Sequence, residues 1–197
     1  MNVSQKSICV YCASSSRCDP VYHDVARQLG RILAEHGYSI IYGGGAIGSM
    51  GALADGAVAC GGKVVGVLPK FMMDLEWGHQ KLTELRVVED LRSRKHMMLS
   101  DSRGLVTLPG GSGTLEELFE AITLKRLGLY THPIVLVNTR DYFAPLISLL
   151  AHAIAERFMD ERHRLMWQIV ATPDEVPMAL EAAPAWSVDA REFATVR

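Results

Sequence analysis

Two kinds of residue in the stretch TLPGGSGTLEELFE, residues 107–120, have types and spacing that could do chemistry. Gly110, Gly111 and Gly113 let the chain bend until backbone N–H groups face a ligand, and Ser112 and Thr114 add hydroxyl donors. Such a turn at a helix start suits a phosphate, because the first N–H groups of the helix have no internal partner. No Lys follows the last glycine, so this is not a Walker loop. Glu116, Glu117 and Glu120 come next, and a pure anion cradle gains nothing from carboxylates beside it. A carboxylate there raises the question whether the chain cuts a phosphorylated molecule as well as binding it. Thr114-x-x-Glu117 equally fits a capping box, a purely structural use of the same pair.

Two further features bear on that choice. The run Leu91-Arg92-Ser93-Arg94-Lys95-His96-Met97-Met98 sets basic residues at a helix start, where the dipole disfavours cations unless an anion offsets them. Glu76 lies in an irregular stretch beside the apolar Trp77. A second glycine turn, Gly43-Gly44-Gly45 with Gly48, fits the G-x-G-x-x-G dinucleotide pattern between a strand and a helix. That pattern also wants an acidic residue at the end of the following strand to hold a ribose hydroxyl. Here the strand ends Gly66-Val67-Leu68-Pro69-Lys70, without Asp or Glu. What remains is a set of backbone N–H groups suited to a phosphate or a close ligand, or glycines needed only for packing.

The elements that must position these residues alternate regularly. Short β-rich runs are expected at 7–12, 38–42, 63–68, 104–108 and 133–138, with a further apolar run at 168–171. Amphipathic helices are expected at 20–36, 49–60, 91–101 and 114–127. Asp141 is expected to cap a helix reaching residue 158, and a last helix to start near Asp174. Residues 70–90 break the rhythm with mixed character. Strands alternating with helices of this length predict βαβ units, hence an α/β fold with a Rossmann-like, doubly wound parallel sheet. Ligands of such sheets bind beyond the C-terminal strand edge, where strand order reverses, and both glycine turns fall at that edge. One domain, residues 1–185, is expected, with a loose tail at 186–197.

The bulk composition narrows the function classes. The chain has 197 residues, 49% hydrophobic and 21% charged, with net charge −2, the balance of one soluble globular domain. Lys and Arg are scattered, which argues against a nucleic-acid surface. No apolar run approaches the ~18 residues of a membrane helix, and the start enters a strand without a signal-like segment, so the expected compartment is the cytoplasm. Cys9 and Cys12 form C-x-x-C, but within a strand and with an odd separation that sends them to opposite faces. A redox pair sits instead at a helix start, where the dipole stabilises a thiolate. No His/Cys spacing suits a metal, and none is expected.

The sequence resembles the LONELY GUY family of cytokinin riboside 5′-monophosphate phosphoribohydrolases, long mislabelled lysine decarboxylases. Pro109-Gly110-Gly111-Ser112-Gly113-Thr114-Leu115-Glu116-Glu117 matches the family's P-G-G-x-G-T-x-x-E. Arg94, Lys95 and Met98 match its M-H-x-R-K-x-x-M, with Leu91 and Arg92 in place of Met and His. Gly43-Gly44-Gly45 with Gly48-Ser49-Met50-Gly51 resembles G-G-G-x-x-G-L-M-G, with Ser49 for Leu. The resemblance runs from about residue 8 to 158. It implies hydrolysis of the N-glycosidic bond of an adenosine 5′-monophosphate, N6-modified or plain, to free base and ribose 5-phosphate, with no cofactor. It implies Arg94 and Glu117 as the catalytic pair, and substrate contacts from Glu76, Arg94, Lys95, the loop Gly111, Ser112, Gly113, Thr114, Leu115, Glu116 and Glu117, and Thr123. It also implies homodimers with the site near the interface. Glu117, close to a helix N-terminus, is expected to be favoured in its charged form. The alternatives are a non-catalytic carrier of a nucleotide or of a molybdenum-type cofactor, and a pyridoxal phosphate decarboxylase, for which no lysine stands in a Schiff-base setting.

Overall fold

The computed structural model of the protein describes residues 6–73 and 78–194. Strand β1 (Ser7–Tyr11) runs into a polar loop, and helix α1 (Pro20–Glu35) follows. Asp19 starts that helix by accepting the Val21 N–H, and Pro20 takes the first position, where a missing N–H costs nothing. Its core face is Ala26, Leu29, Ile32 and Leu33, the three-and-four spacing of an amphipathic helix. After β2 (Ser39–Tyr42) comes α2 (Gly48–Ala59), rich in Ala and Gly. The two helices pack backbone to backbone: a Cβ on Gly30 would stand 2.1 Å from Leu53 O.

The chain continues through β3 (Val64–Pro69), a single turn α3 (Lys70–Met73), β4 (Glu84–Val88), α4 (Leu91–Ser100), β5 (Leu105–Thr107) and α5 (Ser112–Arg126). The last part holds β6 (Ile134–Val137), α6 (Ala144–Ala155), β7 (Gln168–Val170) and α7 (Val176–Ala182). Among the described residues these strands form one parallel sheet in the order β4-β3-β2-β1-β5-β6-β7. Strand order reverses between β1 and β5, so the doubly wound sheet expected from the alternation is present, with its crevice at those strand ends. Each face carries its own core. Val10, Cys12 and Tyr42 pack with α1 and α2 on one side; Cys9, Tyr11 and Leu105 pack with Leu118 and Ile122 of α5 on the other. Cys9 and Cys12 therefore do face opposite ways, and both are buried free thiols.

Three regions differ from the sequence reading. Within the irregular stretch 70–90, β4 forms the sheet edge, and only Val88 of its five residues is buried. An edge strand with one covered position shows no alternating apolar pattern. Asp141 does not cap a helix: Thr139–Asp141 is a 3-10 turn in which Arg140 and Asp141 have φ of 54° and 57°. Asn138 organises that corner instead, its Oδ1 accepting the Phe143 N–H at 2.7 Å and its Nδ2 donating to Asp141 at 3.2 Å. The tail expected to be loose packs down as far as residue 194. Trp186 Nε1 donates to Lys125 O at 2.7 Å, and the Arg162 guanidinium lies 3.7 Å from the Phe193 ring centre. Two aromatic anchors give this tail the contacts that its polar composition conceals.

Candidate active site

A cleft of about 550 Å³ opens at the strand-order reversal, a volume typical of a small-ligand site. One lip is the start of α5 and the turn before it, supplying Gly111, Ser112, Gly113, Thr114 and Glu117. The opposite lip is the loop after β1, with Cys12, Ala13, Ser14 and Ser15. Arg94 of α4, with Gly43 and Gly45, closes the floor toward β2, and Ile47, Met50, Leu68 and Met72 form an apolar wall.

Helix α5 begins two residues earlier than expected. Its N-cap is Gly111, in extended conformation and without a side-chain bond, so the Thr114–Glu117 capping box is not formed. Thr114 lies inside the first turn, with its side chain folded back against Gly110. The early start places the first N–H groups of the helix, which have no partner within it, at the cleft, which Gly111, Ser112 and Gly113 line as exposed residues. It also carries Glu117 past the first turn and into the floor, where only 7% of the residue is exposed.

Arg94 is the counterpart of Glu117. Asp90 caps α4 by accepting the Ser93 N–H at 2.7 Å, which offsets the basic helix start. Arg94 then points inward, 6% exposed. Its Nε donates to Val67 O at 3.0 Å and its Nη2 to Gly43 O at 2.9 Å, tying it to the ends of β3 and β2. Its Nη1 lies 3.8 Å from Glu117 Oε1. A Cβ on Gly43 would stand 1.9 Å from Arg94 Nη2, so only glycine leaves room for the guanidinium.

The protonation of Glu117 corrects the expectation from the helix dipole. Burial raises its pKa from 4.5 to about 7, against the lowering effect of the Arg94 charge. Past the first turn the dipole is weak, and desolvation of the carboxylate wins. A carboxyl group with a pKa near neutrality is matched to proton transfer.

The other residues singled out in the sequence divide clearly. Gly43 and Gly45 line the cleft, whereas Gly44 is buried against β3 and Leu85. Gly48, at φ 64°, packs on the Ser14 and Ser15 backbone, where a Cβ would meet Ser15 O at 2.4 Å. The second glycine turn thus seats Arg94 and the serine lip. Lys95 lies outside the cleft, mostly covered, and pairs with Glu116 and, at 2.6 Å, Glu120 on α5. Leu115 is half-buried against the core, and Thr123 is exposed farther along α5 outside the cleft. Glu76 lies outside the described residues. The serine lip and the apolar wall were not singled out from sequence; the position of residues 13–15 directly after β1 was the available signal. No lysine among the described residues lines the cleft. Among the described residues no group of three or more His, Cys, Asp or Glu is arranged to hold a metal, and no helix is long and apolar enough to cross a membrane.

Residues 50–180 match the family model described as "possible lysine decarboxylase". A cytokinin riboside 5′-monophosphate phosphoribohydrolase of Rhodococcoides fascians is 41% identical over 155 residues, 78% of each chain. The enzyme of that name from Oryza sativa subsp. japonica is 39% identical over 177 residues, 89% of this chain and 73% of that one. The chain belongs to this phosphoribohydrolase family. Solved structures agree on the fold. The molybdenum cofactor carrier protein of Chlamydomonas reinhardtii is 22% identical and covers 90% of this chain and 96% of its own, with a TM-score of 0.70. The molybdenum cofactor binding protein of Rippkaea orientalis is 20% identical over the same shares, again with a TM-score of 0.70. At that identity they speak to architecture alone. The sequence likeness at about 40% identity runs to the phosphoribohydrolases.

Proposed function

We propose that the protein hydrolyses the N-glycosidic bond of adenosine 5′-monophosphates, N6-modified or plain, releasing free base and ribose 5-phosphate. The observation that carries this is the buried pair of Arg94 and Glu117, 3.8 Å apart, in the floor of a cleft whose lip is a glycine-rich helix start. The 5′-phosphate sits on the N–H groups of Gly111 to Thr114, residues that line the cleft at the start of α5. The sugar carbon is then directed inward, toward the carboxylate.

Cleavage passes through an oxocarbenium-like state, as in glycoside hydrolysis generally. Ionised Glu117 takes a proton from water as the water oxygen bonds to the sugar carbon. The carbon–nitrogen bond breaks, the electron pair leaves with the base, and the proton held by Glu117 passes to the base through solvent, which restores the carboxylate. A pKa near 7 leaves much of the carboxyl ionised at neutral pH and able to accept that proton. Two arms of Arg94 are held by Val67 O and Gly43 O, and the third faces Glu117. Arg94 therefore orients the carboxylate and favours its ionised form against the effect of burial, in preference to gripping the phosphate. The apolar wall of Ile47, Met50 and Met72 suits an adenine ring with or without an N6 substituent.

The protein acts in the cytoplasm as a homodimer in this reading. The outer face of α4 and α5 and the turn after them supports it, with Leu91, Phe119 and Leu129 exposed by 46%, 39% and 72%. Lys95, Glu116 and Thr123 lie on that face, and a second copy seated there reconciles their position with the substrate contacts the resemblance implies. Light scattering on the purified protein, with Phe119→Glu expected to yield monomer, tests the assembly. For the reaction, the protein is incubated with AMP, isopentenyladenosine monophosphate and the two nucleosides, and free base is separated by chromatography. Base released from the monophosphates alone supports the reading; no base from any of them returns the protein to the carrier alternative.

A further inference from the structure

We propose that Tyr142, on the loop between β6 and α6, is a positioning residue for the glycine lip of the cleft. It rests on the reading of Gly111 to Thr114 as the phosphate cradle. The hydroxyl of Tyr142 donates to Gly110 O at 2.5 Å, immediately before that cradle. Tyr142 does not line the cleft, so it acts through the turn it holds.

Among the described residues the lip has few other side-chain restraints. Gly111 caps α5 without a side-chain bond, Gly111, Ser112 and Gly113 are exposed, and a Cβ on Gly111 or Gly113 would meet nothing within 4 Å. A turn of three glycines explores many conformations unless an outside group restrains it. The restraint comes from a loop that is itself held at both ends. Asn138 bonds Phe143 and Asp141 within the loop, and Arg140 Nη1 pairs with Asp19 Oδ2 at 2.5 Å, where the serine-lip loop enters α1. The Tyr142 ring stacks edge-on against Phe143 at 5.1 Å and Tyr22 at 6.2 Å. Arg140 and Asp141 are both left-handed, a conformation that non-glycine residues keep only where surrounding contacts impose it. That backbone turns side chains two residues apart to different partners, Arg140 to Asp19 at the end of the serine-lip loop and Tyr142 to the glycine lip. The loop thereby sets the spacing across the cleft.

Tyr142→Phe removes the hydroxyl and keeps the ring contacts. The Leu115 amide reports the closure of the lip, since it donates to Gly111 O at 3.1 Å. Its hydrogen exchange should speed up by about tenfold in the variant, the factor that one hydrogen bond of ordinary net strength supplies. Ribose 5-phosphate, which carries the phosphate but no scissile bond, should bind more weakly by a similar factor in calorimetry. KM for AMP should rise likewise, with kcat within about threefold of the parent, because Arg94 and Glu117 are untouched. An unchanged Leu115 rate, or ribose 5-phosphate binding that does not differ between the two proteins, overturns the proposal. Base release by the parent protein is scored separately. If the parent releases no base while the variant shows faster exchange and weaker binding, the reaction assignment falls and the role of Tyr142 stands.

Discussion

Glu117 and Arg94 are coupled more closely than their separation in the chain suggests. The carboxylate is buried, and its charged form leans on one arm of a guanidinium whose other arms are fixed by backbone. Glu117→Gln keeps the shape and removes the base, so kcat with AMP should fall on the order of 10²–10⁴-fold with KM little changed. The parent's kcat/KM should rise with pH through about 7 as Glu117 ionises, and the residual activity of Glu117→Gln should lack that limb. A stopped assay between pH 5 and 9 reads both. Arg94→Lys keeps the charge but cannot reach Val67 O, Gly43 O and Glu117 together, and a loss of about 10²-fold is expected. The two segments stood out in the sequence as local oddities, glycines before a helix and basic residues against a dipole, whereas the choice of Arg94 and Glu117 within them came from the family resemblance. The protonation of Glu117 was not legible, since it depends on how far α5 carries the side chain into the floor.

At the scale of elements, the site is a meeting of strand ends. Arg94 starts on α4 but is placed by β2 and β3, so its position depends on the glycine that ends β2. Gly43→Ala would drive a methyl into Nη2, and the guanidinium must move, because the backbone on either side is fixed in the sheet. The expected result is a folded protein whose melting temperature drops by a few degrees while kcat falls about as far as in Arg94→Lys. Near-parent turnover would show that Arg94 does not need its seat. The strand–helix alternation showed the sheet and the crevice in advance, because a parallel strand covered on both faces is a continuous apolar run. It did not show β4, whose exposed edge carries Glu84 and Arg86 in place of a stripe. Nor did it show the corner at 138–143, where two left-handed non-glycine residues stand at positions that a sequence reading assigns to a capped helix.

For the whole molecule, two buried ionisable groups on the same helix give the stability a pH dependence that can be dissected. Glu117 is raised to about 7 in the folded protein from about 4.5. Between those values the folded state holds the extra proton, so the contribution of this group to stability declines as pH rises from about 4.5 to 7. Lys125 has the opposite sign. It is 1% exposed, covered by Trp186 and the ordered tail, and donates to His132 O at 2.6 Å. Burial lowers it from 10.5 to about 8, so the unfolded chain holds the extra proton between those values, and stability climbs as pH rises across them. The shift of Glu117 corresponds to a contribution on the order of 3 kcal/mol, at about 1.4 kcal/mol per pKa unit. Urea melts of the parent and Glu117→Gln at a series of pH values should diverge in favour of the variant from pH 4.5 to 7 and run parallel above. Lys125→Met loses a hydrogen bond, so its offset can have either sign, but its difference from the parent should be flat below pH 8 and move toward the parent's favour between 8 and 10.5. Difference curves that stay level through both windows would mean that neither group is held as the buried floor and the packed tail require.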